Sequence, residues 1–397
     1  MGGNIAAMLA AQLPQITRFK GLNNVSDPLR VGFGWLAQAD NVDVTDTGSL
    51  VARSGYTQAQ SRAFGDAYGT IDESRMYLTV PGQLTDFNGN ALRTLVSTAK
   101  MYWAEVNDHV FFNNGTDSGI IRPDGGVIDW AWRVPAIPAV AIVTGNLPAG
   151  QYQVCLTFTL PDGRETGPSD PVQIDIADGQ ALQVSGIEQV EGLVTNLYIA
   201  PANSDVYQFA ESPFGAATVW NASPDALGMD LFTNLMKPLP LGCDVIQVWG
   251  GQVYAAQYFP SDDQTVVWFS QPLGFHLFDL ASDFFTVPGR VTMLAPVDTG
   301  LIVGTDKRIY AYTSEGITTL APYGCVPGQH WSLDDDGMVI FWTDRGVCQG
   351  LPFSNLTQRN VSVAPGVHAG GAIVRSGGQK RYLVSIQQGG TAYNQFA

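Results

Sequence analysis

Lysine, glutamate and histidine are scarce in this 397-residue chain. It has five Lys and four His, and its acidic residues comprise 29 Asp against only seven Glu. Glu and Lys favour the surfaces of helices, whereas Asp favours turns and caps. The balance therefore predicts β structure with little helix.

Basic residues are few, and they form no cluster. Lys and Arg total 20 against 36 Asp and Glu, which gives a formal net charge of −16. Proteins that grip nucleic acid neutralise its phosphates with clustered Lys and Arg, so the sequence argues against tight nucleic-acid binding. An acidic surface serves solubility, and it also suits a wall past which DNA slides without sticking.

The cysteines lack the spacing of a metal knuckle or of a dense disulfide framework. No CxxC pair occurs, and the four residues stand far apart, at Cys155, Cys243, Cys325 and Cys348. We therefore predict reduced thiols, as in a protein made in a cytoplasm. Cys325 and Cys348 could approach each other on neighbouring strands, and the sequence leaves this open.

Long apolar segments are absent too. No run approaches the roughly 18 to 20 apolar residues of a membrane-spanning helix. The first basic residue is Arg18, and no sustained apolar core follows Met1, so we expect no signal peptide. Ala6 stands where a myristoylation signal needs Ser or Thr, so that signal is absent. Because no apolar run is long enough, we expect no membrane span.

Catalytic and metal-binding motifs are missing as well. The histidines have neither HxH nor HExxH spacing, which predicts structural or surface roles for His109, His276, His330 and His368. Gly-x-Ser-x-Gly and Walker-type sequences do not occur. Asp334-Asp-Asp-Gly337 lacks the register and the later Glu of a calcium loop, so we predict a turn there. We expect no catalytic, cofactor-binding or metal-binding residues and no enzyme activity.

Turn residues and aromatic residues are plentiful. The chain has 44 Gly and 23 Pro, and 11% of its residues are aromatic, which suits many short strands joined by tight turns. Residues 300–310 and 337–347 each have the pattern of an apolar strand, a Thr-Asp turn and a second apolar strand. Thr305 and Thr343 lie 38 residues apart. Four-stranded units of about 40 to 45 residues are typical of β-propeller blades, so we predict an all-β propeller of five or six blades, some incomplete.

The order of patterns along the chain divides it into five segments. Ile5, Met8, Leu9 and Leu13 have helical spacing, and the Pro-spaced stretch 134–139 marks a boundary. Strand patterns at short, regular spacing follow that boundary and favour an immunoglobulin-like or fibronectin type III-like β-sandwich. The predicted segments are an N-terminal arm with a short helix (1–16), the first part of the propeller (17–135), the inserted sandwich (136–222), a connector with a short helix at 225–236 (223–243), and the rest of the propeller (244–397).

Several stretches resemble one family, the tail nozzle and packaged-DNA stabilisation proteins of short-tailed bacteriophages. The resemblance covers most of the chain. It is carried by Phe19-Lys-Gly-Leu-Asn-Asn24, by residues 39–56, by Asp162-Gly-Arg-Glu-Thr-Gly-Pro-Ser169, by residues 267–273 with 276–279, and by Gly300-Leu-Ile-Val-Gly-Thr-Asp306.

The resemblance implies a structural protein of the virion tail, assembled in the host cytoplasm. Members of this family form a ring, usually of six copies, below the portal and its adaptor. Such a homohexameric ring extends the DNA channel, helps to retain and then deliver the genome, and carries fibre, spike or needle components. The expected partners are therefore further copies of the chain, the adaptor above, tail components below, and genomic DNA that passes without sequence-specific binding. We expect the 1–16 arm to dock on its own body or on a neighbour.

Two alternatives remain on the sequence alone. One is a carbohydrate-binding or glycan-cleaving propeller used in host recognition, although no carboxylate pair stands out in the sequence. The other is a monomeric tail-tip or scaffold component. Five tryptophans lie within strand patterns, and we expect core packing for them rather than stacking on sugars or bases: Trp103, Trp249, Trp268, Trp331 and Trp342.

Overall fold

Antiparallel β-strands make up nearly all the regular structure of the residues that the structure describes. The computed structural model describes residues 16–389, except 54, 56, 377 and 378. Within these residues it has 34 strands and a single 3-10 turn, which confirms the expected all-β class. The helix predicted in the 1–16 arm falls on residues 4–13 and lies outside the described residues.

The described chain divides into two compact units. The first unit combines residues 16–63 with residues 297–389, and the second unit comprises residues 64–296. Each unit is described separately below.

The first unit begins with short strand pairs. Asn24 ties this stretch to the later part of the same unit, because its side chain donates to Ser362 O at 2.9 Å and accepts from Ser362 N at 2.7 Å. The predicted hairpin over residues 42–52 is confirmed. The strands are β1 (Gly21–Leu22) and β2 (Trp35–Leu36), which pair in parallel, and β3 (Val42–Val44) and β4 (Leu50–Ala52), which pair antiparallel.

The second unit opens with two four-stranded antiparallel sheets, each formed by strands that follow one another in the chain. The hairpin predicted at residues 102–112 lies in the second of them. Aromatic stacking of Trp103 with Tyr68 and Tyr77 contributes to the core of these strands. The strands are β5 (Ala67–Gly69), β6 (Met76–Val80), β7 (Gln83–Asp86) and β8 (Ala91–Thr94), then β9 (Tyr102–Val106), β10 (His109–Asn113), β11 (Ser118–Ile121) and β12 (Val127–Ile128).

Residues 139–220 form two sheets that share one apolar core. Tyr152, Val154 and Leu197 of one sheet and Leu182 and Trp220 of the other belong to the same buried cluster. The three-stranded sheet has the order β13-β16-β19, and the four-stranded sheet has the order β15-β14-β17-β18. The strands are β13 (Ala139–Leu147), β14 (Gly150–Thr159), β15 (Val172–Ile176), β16 (Gln180–Ser185), β17 (Val194–Ala200), β18 (Gln208–Glu211) and β19 (Ala217–Trp220).

The prediction of a helix at residues 225–236 is wrong. Only a three-residue 3-10 turn forms, at Pro224–Ala226. The backbone that follows bonds instead to strand β18 and to the residue that precedes it. Phe209 N donates to Met229 O, and Leu231 N donates to Tyr207 O. Tertiary pairing therefore overrides the local apolar spacing.

The rest of the second unit is an antiparallel sheet in which β22 pairs with three neighbours, β21, β23 and β24. Asn113 of β10 reaches this sheet, since its Nδ2 donates to Cys243 O at 2.6 Å. The strands are β20 (Cys243–Trp249), β21 (Gln252–Phe259), β22 (Gln264–Gln271), β23 (Gly274–Phe278) and β24 (Phe284–Pro288), and β25 (Val291–Val297) runs to the end of the unit.

The later part of the first unit contains both hairpins that carry the 38-residue spacing, and both are confirmed. Thr305 and Thr343 are fully buried at their turns, where Thr305 Oγ1 donates to Arg308 O at 3.0 Å and Thr343 Oγ1 donates to Gly346 O at 2.8 Å. The final hairpin predicted over residues 372–386 also forms. The strands are β26 (Gly300–Thr305), β27 (Ile309–Thr313), β28 (Gly316–Ala321), β29 (Ser332–Leu333), β30 (Val339–Thr343), β31 (Gly346–Gln349), β32 (Ser354–Asn355), β33 (His368–Ser376) and β34 (Gln379–Gln387).

Candidate functional site

The four histidines do not converge. His276 Nε2 lies 3.0 Å from Glu165 O, and His330 is fully buried with both ring nitrogens bonded to the backbone. His109 Nδ1 lies 2.8 Å from Asn107 O, and His368 begins strand β33. Among the described residues, no group of three or more His, Cys, Asp and Glu side chains could hold a metal ion.

Asp334-Asp335-Asp336 forms a turn between β29 and β30, as predicted. Asp334 Oδ1 accepts from Asp336 N at 2.9 Å and from Met338 N at 3.0 Å, which closes the turn. Lys380 pairs with Asp334 at 3.4 Å, and Arg375 pairs with Asp335. The carboxylates are thus engaged by backbone amides and by cations of the final hairpin.

The cysteines are all free thiols, and all are buried. Burial raises the pKa of Cys155 to about 12 and raises the pKa of Cys325 and Cys348 above the usual thiol range. The thiolate, rather than the thiol, is the nucleophile. These side chains therefore belong to the packing of the strands and are poor candidates for catalysis.

The predicted role of the tryptophans in packing holds most clearly for Trp103 and Trp342, which are 1% and 4% exposed. Trp249, Trp268 and Trp331 are half-buried. Trp268 Nε1 donates to Gln257 Oε1 at 3.1 Å, so its polar edge is used within the fold.

The loop between β14 and β15 is a hub of hydrogen bonds. We call residues 162–169 the clasp loop. Arg164 pairs with Asp162 at 2.8 Å and donates from Nη2 to Asp129 O at 2.8 Å and from Nη1 to Trp130 O. A planar guanidinium is suited to several such bonds at once. One side chain therefore fixes the clasp loop to the segment that follows β12.

Glu165 supplies the central acceptor of the clasp loop. Its Oε1 accepts from Thr157 Oγ1 at 2.5 Å, from Asn196 Nδ2 at 3.1 Å and from Tyr198 Oη at 3.0 Å. Burial, followed by the charge of Glu165, raises the pKa of Tyr198. The phenol therefore remains a proton donor, and the network holds the four-stranded sheet of the sandwich together.

The far end of the clasp loop contacts the connector. Thr233 Oγ1 donates to Thr166 O at 2.8 Å, and Lys237 Nζ reaches Pro168 O at 3.3 Å and Asp170 Oδ1 at 3.1 Å. A Cβ atom added at Gly167 would lie 1.7 Å from Met236 O, so only glycine fits there. The clasp loop thus holds the sandwich to the connector.

His276 contacts the clasp loop through Glu165 O and is held neutral by its surroundings. Burial, with a smaller contribution from the charge of Arg164, lowers the pKa of His276 to about 4. A general base works best when its pKa is near the operating pH. The ring of His276 is therefore poorly matched to the role of a general base near neutral pH.

A groove of about 600 Å³ lies beside the clasp loop, within the second unit. We call it the Trp132 groove. An adjoining cavity of about 350 Å³ shares Arg93, Asp129 and Trp132 with it. Sequence analysis did not single out this groove, because residues spread from 93 to 193 line it and no motif joins them. Its polar lining includes Arg93, Arg122, Asp129, Trp132, Asp162 and Arg164.

Cationic side chains are largely neutralised by carboxylates. At least 11 of the 20 Lys and Arg residues form ion pairs with Asp or Glu. Arg290–Asp244 and Arg381–Asp43 are examples, each at 2.8 Å. The net negative charge of the surface therefore comes from the excess of aspartate.

Large apolar side chains are exposed along the connector. Met229, Phe232, Leu235 and Leu241 are 75%, 83%, 69% and 91% exposed. We call these four residues the connector strip. Leu235 also has a positive φ of 66°, a conformation that a branched side chain seldom adopts.

Among the described residues, no helix is long and apolar enough to cross a membrane. Comparison with known proteins gives no family: no family model matches the chain, and no curated protein matches it.

Solved structures show only distant likeness. The extracellular domain of a hybrid two-component system from B. thetaiotaomicron is 11% identical with a TM-score of 0.31, and the match covers 80% of this chain and 36% of that one. Dipeptidyl peptidase 4 of Porphyromonas gingivalis is 9% identical with a TM-score of 0.25, covering 85% and 47%. The V. cholerae biofilm matrix protein Bap1 is 8% identical with a TM-score of 0.18, covering 72% and 53%. The chain thus spans between about a third and about half of these structures, and at such scores the likeness carries no argument.

Proposed function

We propose that this chain is a structural protein of a short-tailed bacteriophage virion. In the proposal, copies of the chain form a homohexameric ring, the tail nozzle, below the portal adaptor. The proposal rests first on the resemblance of residues 19–24, 39–56, 162–169, 267–273, 276–279 and 300–306 to that family. The ring extends the DNA channel, helps to retain the packaged genome, and then delivers it.

The proposed architecture is a β-propeller with an inserted immunoglobulin-like or fibronectin type III-like sandwich. Its support is the run of four-stranded antiparallel sheets at residues 67–94, 102–128 and 332–355, in which each strand pairs with the next along the chain. The two-sheet segment at 139–220 falls within the predicted insert of 136–222. The clasp loop then serves as the junction that holds the insert to the propeller.

The observation of the structure that best supports a DNA conduit is the pairing of cations with carboxylates. Duplex DNA binds to unpaired Lys and Arg, which displace counterions from the phosphates. Here at least 11 cations are occupied by acidic partners, and the chain keeps a net charge of −16. Several such copies around one channel repel DNA, so the genome passes with little friction.

The connector strip supports assembly into a ring. A monomer rarely leaves several large apolar side chains of one segment in water, whereas burial in an interface is favourable by about 25 cal/mol per Å². In the proposal the connector strip contacts a neighbouring copy. The adaptor above and the fibre, spike or needle components below are the other proposed partners, in a virion assembled in the host cytoplasm.

The DNA part of the proposal is tested by fluorescence anisotropy of a labelled duplex at physiological salt. We expect no saturable binding up to a protein concentration of about 100 μM, the weak end of non-specific DNA binding. A dissociation constant in the micromolar range or tighter would contradict an acidic, low-friction wall.

A further inference from the structure

Strand β13 forms an open edge of the sandwich. Within the described residues it pairs with β16 alone and stands at the end of the order β13-β16-β19. Residues 139–144 keep an unbroken antiparallel register with β16. In such a ladder every second residue directs its N–H and C=O groups away from the partner strand. The backbone of residues 139–144 therefore presents donors and acceptors to the outside of the sheet.

This open edge lacks the features that usually protect one. Natural proteins protect an edge strand with charged side chains, with Pro, with a β-bulge or with a covering segment. Residues 139–144 contain no charged residue and no Pro. The bulge of β13 comes after them, between Thr144 and Leu147, and Pro138 comes just before them. Pro138 and the bulge thus delimit a segment that is free to pair with another strand.

The surroundings of this segment in the sequence are uncharged as well. No Asp, Glu, Lys, Arg or His lies between Arg133 and Asp162. Burial explains this for β14, but Ala139 and Ala141 of β13 are exposed, and Ile142 is 44% exposed. Copies of a chain with a net charge of −16 repel one another, so a contact between them is most favourable where charged side chains are absent.

We propose that β13 pairs antiparallel with β13 of a second copy of the chain. A two-fold axis through the middle of residues 139–144 places the segment opposite itself, so outward N–H groups of one copy meet carbonyl oxygens of the other. The β-branched side chains of Val140, Ile142 and Val143 suit such cross-strand packing. The two three-stranded sheets then form one continuous sheet. A charged peptide is a poorer occupant, because the segment offers it no opposite charge.

This contact goes beyond the proposed ring and does not depend on it. A two-fold contact joins identical surfaces in pairs, whereas a ring requires a head-to-tail contact between different surfaces. Pairing along a single short strand buries less area than a standard interface, so we expect a dissociation constant on the order of 10 to 100 μM.

The direct test is hydrogen–deuterium exchange of the full chain at about 1 μM and about 300 μM, on either side of this range. Amide groups of residues 139–144 should exchange about fivefold more slowly at the higher concentration, because some of them become hydrogen-bonded. Strand β28 is the internal comparison. It is also an uncharged strand at the end of its sheet, but it follows Glu315 directly, and its exchange should not change. No slowing at residues 139–144, or slowing at β28 alone, would overturn the proposal.

The substitutions Ala141→Glu and Ala141→Lys test the two-fold symmetry. Ala141 is exposed near the middle of the segment, so each new charge lies close to its own copy across the axis. Both variants should therefore dimerise about fivefold more weakly, the effect of like charges opposed across two strands. A general effect of net charge would instead weaken the Glu variant and strengthen the Lys variant. An equimolar mixture, with one variant ¹⁵N-labelled, should form mixed dimers in native mass spectrometry.

Thr318→Glu is the matched control. It adds the same charge at an exposed position of β28 and should leave the pairing through β13 unchanged. Three results would each overturn the proposal: a Lys variant that dimerises as well as the wild type, a mixture without mixed dimers, or equal weakening by Thr318→Glu. The connector strip is unchanged in all three variants, so the outcome is separate from that of the ring.

Discussion

At the residue scale, two histidines are held neutral by the fold. Trp342 N donates to His330 Nδ1 at 3.0 Å, so Nδ1 must be an acceptor and Nε2 carries the proton that it donates to Val326 O at 2.7 Å. Burial lowers the pKa of His330 to about 4, and burial together with the charge of Arg164 lowers that of His276 to about 4. A second proton would place a charge on a buried ring, and in His330 it would also break the hydrogen bond from Trp342 N to Nδ1.

These histidines predict a loss of stability in mild acid. Their pKa values are near 4 in the fold and near 6.5 when unfolded, so between these values the unfolded chain binds more protons. The free energy of unfolding should therefore fall as the pH is lowered, by roughly 1 to 2 kcal/mol per histidine between pH 7.5 and 5. Urea denaturation followed by tryptophan fluorescence at several pH values measures this loss.

Carboxylates with a lowered pKa, such as Asp334 and Glu188, also stabilise the fold. They lose this contribution to the free energy of unfolding only below pH 5, because their ordinary pKa values are 3.8 and 4.5. Asp344, whose pKa burial raises, acts in the opposite direction. The variant His276→Gln removes one histidine and should flatten the dependence by about half. A wild-type protein equally stable at pH 7.5 and 5 would show that the histidines are not held neutral.

Sequence reasoning at this scale found the simple roles and missed the groove. The lack of a metal-binding motif around His330 predicted a structural or surface role, and in the structure both of its ring nitrogens bond to the backbone. Arg122 and Trp132 are ten positions apart with no recognisable pattern. Both residues line the Trp132 groove, and this appears only when strands and loops are brought together in space.

At the scale of elements, the clasp loop joins the sandwich to the connector. Arg164 and Glu165 bond in different directions from adjacent positions, and Gly167 lets the connector backbone approach. Residues 162–169 attracted attention in the sequence because they resemble a known family. Their own contacts explain why Arg, Glu and Gly stand at positions 164, 165 and 167.

Gly167→Ala tests that explanation. The added Cβ would lie 1.7 Å from Met236 O, and a backbone atom cannot move aside as a side chain can. We expect a loss of about 2 to 3 kcal/mol in the free energy of unfolding, at the upper end of overpacking effects. Urea denaturation of the full chain measures it.

The matched control is Gly215→Ala in the same sandwich. There the nearest atom to an added Cβ is Ala217 O at 3.8 Å, an ordinary contact. Its effect should stay within about 0.5 kcal/mol. Equal free energies of unfolding for the two variants would mean that the close approach of Met236 O to Gly167 does not matter for stability.

Elements in which two apolar strands flank a clear turn were predictable, whereas those set by distant partners were not. Residues 300–310 and 337–347 form hairpins because a polar Thr-Asp turn separates two apolar strand segments. The apolar spacing at 225–236 suggested a helix, but the peptide groups of Met229 and Leu231 bond to the backbone near β18. Local pattern therefore determined the hairpins, and tertiary hydrogen bonding determined the connector.

At the scale of the whole molecule, charge and exposed apolar surface are the features on which the proposed assembly rests. The chain carries a net charge of −16 while many of its cations are engaged in ion pairs. The connector strip exposes large apolar groups, and Leu235 has a strained backbone.

Leu235→Gly should separate assembly from stability. Glycine adopts a φ of 66° freely, so the free energy of unfolding should be unchanged or higher by up to about 1 kcal/mol. Loss of an apolar side chain that is 69% exposed should weaken association, so sedimentation velocity should show fewer oligomers. Leu273→Gly is the control, because Leu273 has φ 60° and is 73% exposed at a hairpin turn outside the connector strip. Oligomers unaffected by Leu235→Gly, or weakened equally by both changes, would remove the connector strip from the interface.

The most direct test of the central proposal is electron microscopy of the purified full chain at high concentration, with class averages used to determine symmetry. The nozzle proposal predicts closed rings of six copies around an open channel. Class averages that show only single separate chains at every concentration would contradict it.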